Sequence, residues 1–191
     1  MGKTRLIVII FSSFFVTVGL LGTLFYNYFD SPKLGGDFSL VHRDSPWTFK
    51  DHSKEVNLLY IGYAKCPDVC PLSLSVAGQA FRALSAEEQE RIGVVFVSVD
   101  HENDDADHVA NYASQFNSKF IGLTGSKQAI DHVVDLFGTS YVVETKTKSA
   151  MGYLIGHSDR FYFLDSKGHV LSTISNPRNH KLVVNQLRKL L

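Results

Sequence analysis

Residues 56–71, VNLLYIGYAKCPDVCP, contain the signal that decides the fold. The apolar run at 56–63 predicts a buried strand, and Cys66 and Cys70 follow it almost at once. Proline suits the first turn of a helix, so Pro71 predicts that a helix begins beside the second cysteine. The two cysteines therefore lie where a buried strand gives way to a helix.

The rest of the chain alternates between strand and helix patterns. Further strands are predicted at 38–41, 47–49, 92–99 and 119–123, with hairpins at 141–144/152–155 (across the polar segment 145–149) and 160–164/170–174; helices are predicted at 71–83, 104–116, 126–137 and 177–191. Such alternation indicates an α/β domain with parallel strands, to which the last hairpin adds antiparallel ones. A cysteine pair at a strand-to-helix junction is typical of a thioredoxin-like fold. We expect a mixed central sheet with flanking helices.

Length and charge restrict the class of protein. The chain has 191 residues, enough for one globular domain and an appendage. Lysine plus arginine and aspartate plus glutamate number 19 each, so there is no basic field to attract nucleic acid. We therefore predict no nucleic-acid partner.

The appendage is the N-terminal segment. Residues 6–26 carry no charge and follow Lys3 and Arg5, which predicts a single transmembrane helix with its N-terminus in the cytoplasm. We expect an anchor at 1–29, a linker at 30–36 and a globular domain at 37–191. The alternative is a cleaved signal peptide, although no small-residue cleavage pattern follows the apolar run. Either interpretation exports the domain, which in a bacterium places it in the periplasm.

Cys66 and Cys70 are the only cysteines, and two thiols this close can hold a soft metal ion or cycle between dithiol and disulfide. A helix N-terminus favours the thiolate, and Lys65 adds a positive charge nearby. A purely structural disulfide is less attractive, because closing so short a loop constrains the unfolded chain little. Two inert core cysteines are the other alternative.

A third soft donor has to come from elsewhere in the chain. Spacing alone does not select among the eight histidines. His101 and His108 lie in an acidic stretch at 100–107 that could suggest a hard-ion site. Acidic residues before a helix also favour its N-terminus, and we interpret this stretch as a solvated loop and helix start.

Several motifs resemble the Sco/SenC family of copper-handling proteins. They are, in chain order, residues 61–63 leading into the Cys-x3-Cys-Pro sequence at 66–71, then 97–100 (VSVD), 120–125 (FIGLTG), 153–158 (YLIGHS) and 161–165 (FYFLD). The resemblance extends from about residue 34 to residue 191. Ordered motifs of this kind are far more specific than the cysteine pair alone.

The resemblance implies a thioredoxin-like fold on a membrane anchor. It implies that Cys66, Cys70 and His157 bind copper, as Cu(I) and in some states Cu(II). It further implies delivery of copper to the binuclear copper centre of a haem-copper oxidase, whose copper-site subunit would be the partner, alongside other copper chaperones or thiol reductants. Soft thiolates suit Cu(I), and zinc is the main chemical competitor for such a donor set.

Two function classes stay open. One is a metallochaperone, which hands copper to a partner without catalytic turnover. The other is a thiol–disulfide oxidoreductase, an enzyme that reduces the oxidase copper-site cysteines or acts in redox sensing. His157 discriminates between them, since thiol exchange needs two cysteines whereas a third donor serves mainly a metal. We expect the protein in a bacterial inner membrane with its C-terminal domain in the periplasm.

Overall fold

The computed structural model describes residues 2–29, 33–145 and 152–191. The chain divides into two compact units, Met1–Lys33 and Leu34–Leu191. Part of the predicted linker, 30–32, and nearly all of the predicted polar segment at 145–149 lie outside the described residues.

The first unit contains one helix, α1 (Lys3–Phe29). None of the helices in the described part of the chain has the length and apolarity that crossing a membrane demands. The membrane anchor stays a prediction from the sequence.

The second unit alternates strands and helices as predicted. Its elements in order are β1 (Ser39–His42), β2 (Ser45–Thr48), α2 (Phe49–His52), β3 (Val56–Gly62), α3 (Val69–Arg82), α4 (Ala86–Glu90), β4 (Ile92–Ser98), α5 (Ala106–Ser114), β5 (Ile121–Leu123), α6 (Lys127–Leu136), β6 (Tyr141–Thr145), β7 (Tyr153–His157), β8 (Arg160–Leu164), β9 (Val170–Ser175) and α7 (His180–Leu190). The short helices α2 and α4 were not predicted, and α2 begins at Phe49, which had been assigned to the strand at 47–49. Helix α4 begins with a capping box, in which Ser85 and Glu88 satisfy each other's backbone N–H groups.

The central sheet has five strands in the order β5-β4-β3-β8-β9. β3 pairs parallel with β4, and β4 pairs parallel with β5. β8 pairs antiparallel with both β3 and β9. The predicted mixed sheet is therefore confirmed, and every residue of its central strand, β3, is buried. Two-stranded sheets β1-β2 and β6-β7 complete the strand pairing.

Helices cover both faces of the central sheet. Successive strand residues point to opposite faces. Phe96 of β4 lies with its ring centroid 5.5 Å from that of Tyr112 in α5. On the other face, Tyr162 of β8 lies 5.6 Å from Phe137, which ends α6. Burial on both faces explains why β3 and β4 are almost continuously apolar.

Local signals at the helix starts behave as expected. Ser126, the first residue of the helix predicted at 126–137, accepts a hydrogen bond from the N–H of Ala129 and so caps α6. Gly35 and Gly36, placed in the predicted linker, donate their N–H groups to the carbonyls of Leu136 and Gly168. These two glycines therefore belong to the second compact unit.

Candidate metal centre

Cys66 and Cys70 lie on either side of the start of α3. β3 ends at Gly62, and the loop that follows turns back so that the Cys66 N–H donates to the Tyr63 carbonyl oxygen at 3.2 Å. Cys70 is the second residue of α3, and Pro71 is the third, inside the first turn as predicted. Proline at this point loses no intrahelical hydrogen bond, because the first N–H groups of a helix have no partner within it.

β7 brings the third donor to the cysteines from far along the chain. His157 is the last residue of β7, and its Nε2 lies 3.2 Å from the Sγ of Cys70. One ligand atom from each of Cys66, Cys70 and His157 lies within 4.8 Å of the others. Within residues 2–29, 33–145 and 152–191, this is the only such group of His, Cys, Asp or Glu side chains that could hold a metal ion. The structure thus brings together all three residues predicted from the sequence.

The donor separations suit one shared ion. Thiolate and imidazole ligands lie about 2.0–2.3 Å from a metal such as zinc, so two donors can be at most about 4.6 Å apart. The three donor atoms lie within 4.8 Å of one another, so small side-chain movements would bring all of them to bonding distance from one ion. Two sulfurs and one imidazole form a soft set that favours Cu(I) or zinc over hard ions.

The two thiols are electrostatically unequal. A hydrogen bond from Cys70 is the largest cause that holds the pKa of the Cys66 thiol far below its usual value, with further help from His157 and from backbone N–H groups of Cys70 and Asp68. Burial is the main cause that raises the pKa of the Cys70 thiol. Cys66 is therefore the thiolate of the pair, and Cys70 is its hydrogen-bond donor. Backbone N–H groups at the start of α3 make a minor contribution to the low pKa of Cys66, whereas burial raises the pKa of Cys70, which lies inside the first turn.

Two charged side chains lie close to Cys66 in sequence. The ammonium of Lys65, which was expected to favour the thiolate, donates to the carbonyl oxygen of Asn103 at 2.6 Å, and its effect on the thiolate stays a prediction. Asp68 is at the N-cap position of α3, yet its side chain makes no capping hydrogen bond. The Cys66 thiolate is stabilised mainly by the hydrogen bond from the Cys70 thiol, with smaller contributions from His157 and from backbone N–H groups.

Aromatic rings and a glycine enclose the imidazole of His157. Tyr60 and Tyr63 approach it edge to face, with centroid distances of 6.2 and 5.8 Å. Gly62 lies between these tyrosines in sequence, and a side chain there would meet the sulfur of Cys70. Burial raises the pKa of Tyr63 to about 12, so this ring stays neutral at physiological pH. The two rings pack beside the imidazole and keep the site compact, while His157 itself stays partly exposed.

The acidic stretch at 100–107 is only partly the solvated loop that we predicted. Asp105 caps α5, which confirms the helix-start interpretation. Asp100 and Asp104, however, are buried. Asp104 accepts hydrogen bonds of 2.7 Å from the N–H of Ala64 and the hydroxyl of Ser98, and burial raises its pKa. Asp104 thus links Ala64, at the start of the cysteine loop, to Ser98 at the end of β4.

Two residues near the site had no role assigned from the sequence, namely Gly62 and Asp159. A glycine inside an otherwise buried strand signals close approach of another atom, and that signal could have identified Gly62. Asp159 gave no such signal, because its partners Tyr60, Ser73 and Arg178 are distant in sequence.

Comparison with known proteins identifies the family. The SCO1/SenC family model matches residues 28–191. The chain belongs to the SCO1/SenC family. An SCO2-like protein of Rickettsia felis is 33% identical over 145 residues, which cover 75% of this chain and 70% of that protein. The family match thus covers the whole of the second compact unit, Leu34–Leu191.

Solved SCO1/SenC structures agree with this fold. Apo Sco1 of Thermus thermophilus is 31% identical, with a TM-score of 0.75 over 84% of this chain and 94% of that one. ScoI of Bradyrhizobium japonicum, solved with copper bound, is 28% identical, with a TM-score of 0.73 over 83% of this chain and 99% of that one. The mixed sheet with flanking helices is therefore the thioredoxin-like fold of the SCO1/SenC family.

Proposed function

We propose that this protein is a copper chaperone for assembly of the binuclear copper centre of a haem-copper oxidase. The observation that carries the proposal is the convergence of Cys66, Cys70 and His157 within 4.8 Å. Sco proteins of Arabidopsis thaliana and Bradyrhizobium japonicum with similar folds have been solved with copper bound, which supports copper as the metal.

Copper is the cargo of this site. Two thiolates and one imidazole suit trigonal Cu(I), and Cu(II) would take a fourth donor from water or another side chain. The low pKa of Cys66 means that one ligand is already deprotonated at neutral pH. Because the second thiol must lose its proton on metal binding, copper uptake releases protons and weakens as pH falls.

The proposal includes a partner and a location. The recipient is the copper-site subunit of the oxidase, and other copper chaperones or thiol reductants supply copper and electrons. The uncharged segment 6–26 after Lys3 and Arg5 supports a single-pass anchor in a bacterial inner membrane. In this arrangement the anchor is residues 1–29 and the linker is residues 30–36. The globular domain, residues 37–191, binds copper in the periplasm.

A second candidate is a thiol–disulfide oxidoreductase. The pairing of a Cys66 thiolate with a protonated Cys70 favours it, since thiolates initiate disulfide exchange. The same two sulfurs serve both functions, and a Cys66–Cys70 disulfide would prevent copper binding.

Copper titration of the reduced full-length protein tests the proposal. We expect one Cu(I) per chain, with two sulfurs and at least one nitrogen in the X-ray absorption spectrum. The double variant Cys66→Ala/Cys70→Ala should lose this binding. Undiminished stoichiometric binding in that variant would remove the proposed ligands.

A further inference from the structure

A nearly buried carboxylate lies just behind the metal site. The side chain of Asp159, two residues after His157, is only 8% exposed. Its Oδ1 accepts hydrogen bonds from the hydroxyls of Ser73 at 2.6 Å and Tyr60 at 3.0 Å. Its Oδ2 accepts from Nη2 of Arg178 at 2.7 Å. We call these four residues, Tyr60, Ser73, Asp159 and Arg178, the Asp159 cluster.

Each member of the Asp159 cluster comes from an element that shapes the site. Tyr60 is in β3, and its ring lies nearly perpendicular to that of His157 at a centroid distance of 6.2 Å. Ser73 is in α3, three residues after Cys70, so the two lie on neighbouring positions of one helix face. Arg178 precedes α7 and also donates from Nη1 to the Ser73 hydroxyl at 3.0 Å. The cluster thus joins the strand, the helix and the turn that carry or border the ligands.

The orientation of the His157 ring depends on that same turn. Metal-binding histidines usually hold their second ring nitrogen against a carboxylate, a carbonyl or water. Here the Nδ1 of His157 faces the carbonyl oxygen of Ser158 at 3.3 Å. The turn is tied down at the next residue, where the Asp159 carbonyl accepts from the N–H of Asn176 at 2.8 Å. Movement of Asp159 would therefore move the acceptor that orients the imidazole.

We infer that Asp159, clamped by Arg178, is a positioning residue that fixes the imidazole of His157 against Cys70. The inference deepens the proposed function and rests on it for the identity of the metal. Asp159 contacts no metal ligand atom through its carboxylate. It acts by holding the turn at 158–159, which carries both the ring and its hydrogen-bond acceptor.

Two clamp variants and one control test this inference in the full-length protein. Asp159→Asn keeps the size of the side chain but can place an N–H₂ group against the guanidinium. Arg178→Gln removes the clamp from the other side, at a residue that is 43% exposed. Arg160→Gln is the control, because Arg160 lies next to Asp159 and donates from Nε to the hydroxyl of Ser175 instead. Arg178→Lys keeps the charge and should recover part of the effect.

The first readout needs no metal. In NMR spectra of the reduced apo protein, we expect both clamp variants to weaken the cross-relaxation between the His157 ring and the rings of Tyr60 and Tyr63. Arg160→Gln should leave it unchanged. If the His157 contacts are the same in the clamp variants as in the wild type, the inference is wrong. The NMR comparison is made without metal, so its result does not depend on whether the protein binds copper. Failure of the proposed function would instead appear in the copper titration.

The second readout is Cu(I) affinity in two backgrounds. Losing an outer partner of a metal ligand typically costs about 10–100-fold in affinity, and we expect a loss of that order for Asp159→Asn. In a His157→Ala background, Asp159→Asn should lower the Cu(I) affinity by less than about twofold. The effects of two residues are not additive when one acts through the other. An equal loss in both backgrounds would mean a general structural role and would overturn the inference. If Asp159→Asn does not fold, Arg178→Gln carries the same comparison.

Discussion

A methyl group at residue 62 would stand 2.6 Å from the sulfur of Cys70, so Gly62 is what makes room for that sulfur. The same methyl group would lie 3.3 Å from Cε1 of His157. The end of β3 therefore packs directly against Cys70 and His157. This close packing is possible only because residue 62 has no side chain.

We predict that Gly62→Ala weakens copper binding and lowers stability. The added methyl group must displace the Cys70 sulfur, and overpacking of this kind costs about 1–3 kcal/mol in the free energy of unfolding. Gly156→Ala is the matched control, because its nearest neighbour, the Val142 carbonyl oxygen, is 3.9 Å away. Competition with a Cu(I) chelator and urea unfolding measure the two effects. Equal copper affinities for the two variants would show that this close packing does not control the site.

We predict that Cys66 is alkylated well before Cys70 in the reduced protein. Cys66 is 9% exposed and is the thiolate, whereas Cys70 is fully buried and protonated. Between about pH 5 and pH 8 the rate at Cys66 should change little, because its pKa lies below that range. Peptide mapping after brief iodoacetamide treatment measures both rates.

The control for this experiment is Cys70→Ala. It removes the hydrogen bond that is the largest cause of the low pKa of Cys66. The Cys66 rate should then rise with pH across the same range. A wild-type rate that already rises tenfold per pH unit there would show that Cys66 is an ordinary thiol.

The sequence predicted the sheet because strands and helix starts leave local patterns. The apolar runs in β3 and β4 and the cap at Ser126 are readable within a few residues. The three ligands were located through family motifs, since spacing alone could not choose His157 among eight histidines. Side-chain networks that join distant segments were not predictable. Asp159 and Arg178 are one example, because each looks like an ordinary surface charge in the sequence.

Burial of carboxylates was the main error, and it has the same origin. Asp100 and Asp104 lie in a stretch whose charge suggests exposure. Asp104 is nevertheless buried because it receives the Ala64 N–H and the Ser98 hydroxyl, and Asp100 accepts from Tyr153 at 2.5 Å. Such partners are established only once the loops before Cys66 and after β4 have packed together.

We predict that Asp104→Asn changes how stability depends on pH. Burial raises the pKa of Asp104, so the folded state binds its proton more tightly than the unfolded state does. This contribution stabilises the wild type at low pH and is lost as pH rises through the raised pKa. The unfolding free energy of the wild type minus that of Asp104→Asn should therefore decrease from acidic to neutral pH. Denaturant unfolding at a series of pH values measures the difference.

Asp135→Asn serves as the control for this series, because Asp135 is an exposed carboxylate on α6. Its difference from the wild type should vary less with pH than that of Asp104→Asn. Parallel pH profiles for the two variants would contradict a raised pKa at Asp104.

The final prediction separates the two function classes. His157→Ala removes one donor but neither sulfur, so it should weaken Cu(I) binding by more than the roughly 10–100-fold that loss of an outer partner costs. The variant should still form the Cys66–Cys70 disulfide, since exchange depends on thiolate character and access. Loss of the hydrogen bond from His157 should raise the pKa of Cys66 only in part, because the larger contribution of Cys70 remains.

The decisive measurement is oxidase activity at limiting copper in cells that carry each variant, together with thiol trapping of the cysteine pair. A chaperone predicts that His157→Ala fails to support oxidase assembly although its disulfide cycles normally. A thiol reductase predicts that it keeps most of its function. Both cysteine variants fail under either model and so do not discriminate. Protein levels must match the wild type, because an unstable variant would mimic the loss of a ligand. Normal oxidase assembly with stable His157→Ala protein would reject the chaperone in favour of the reductase.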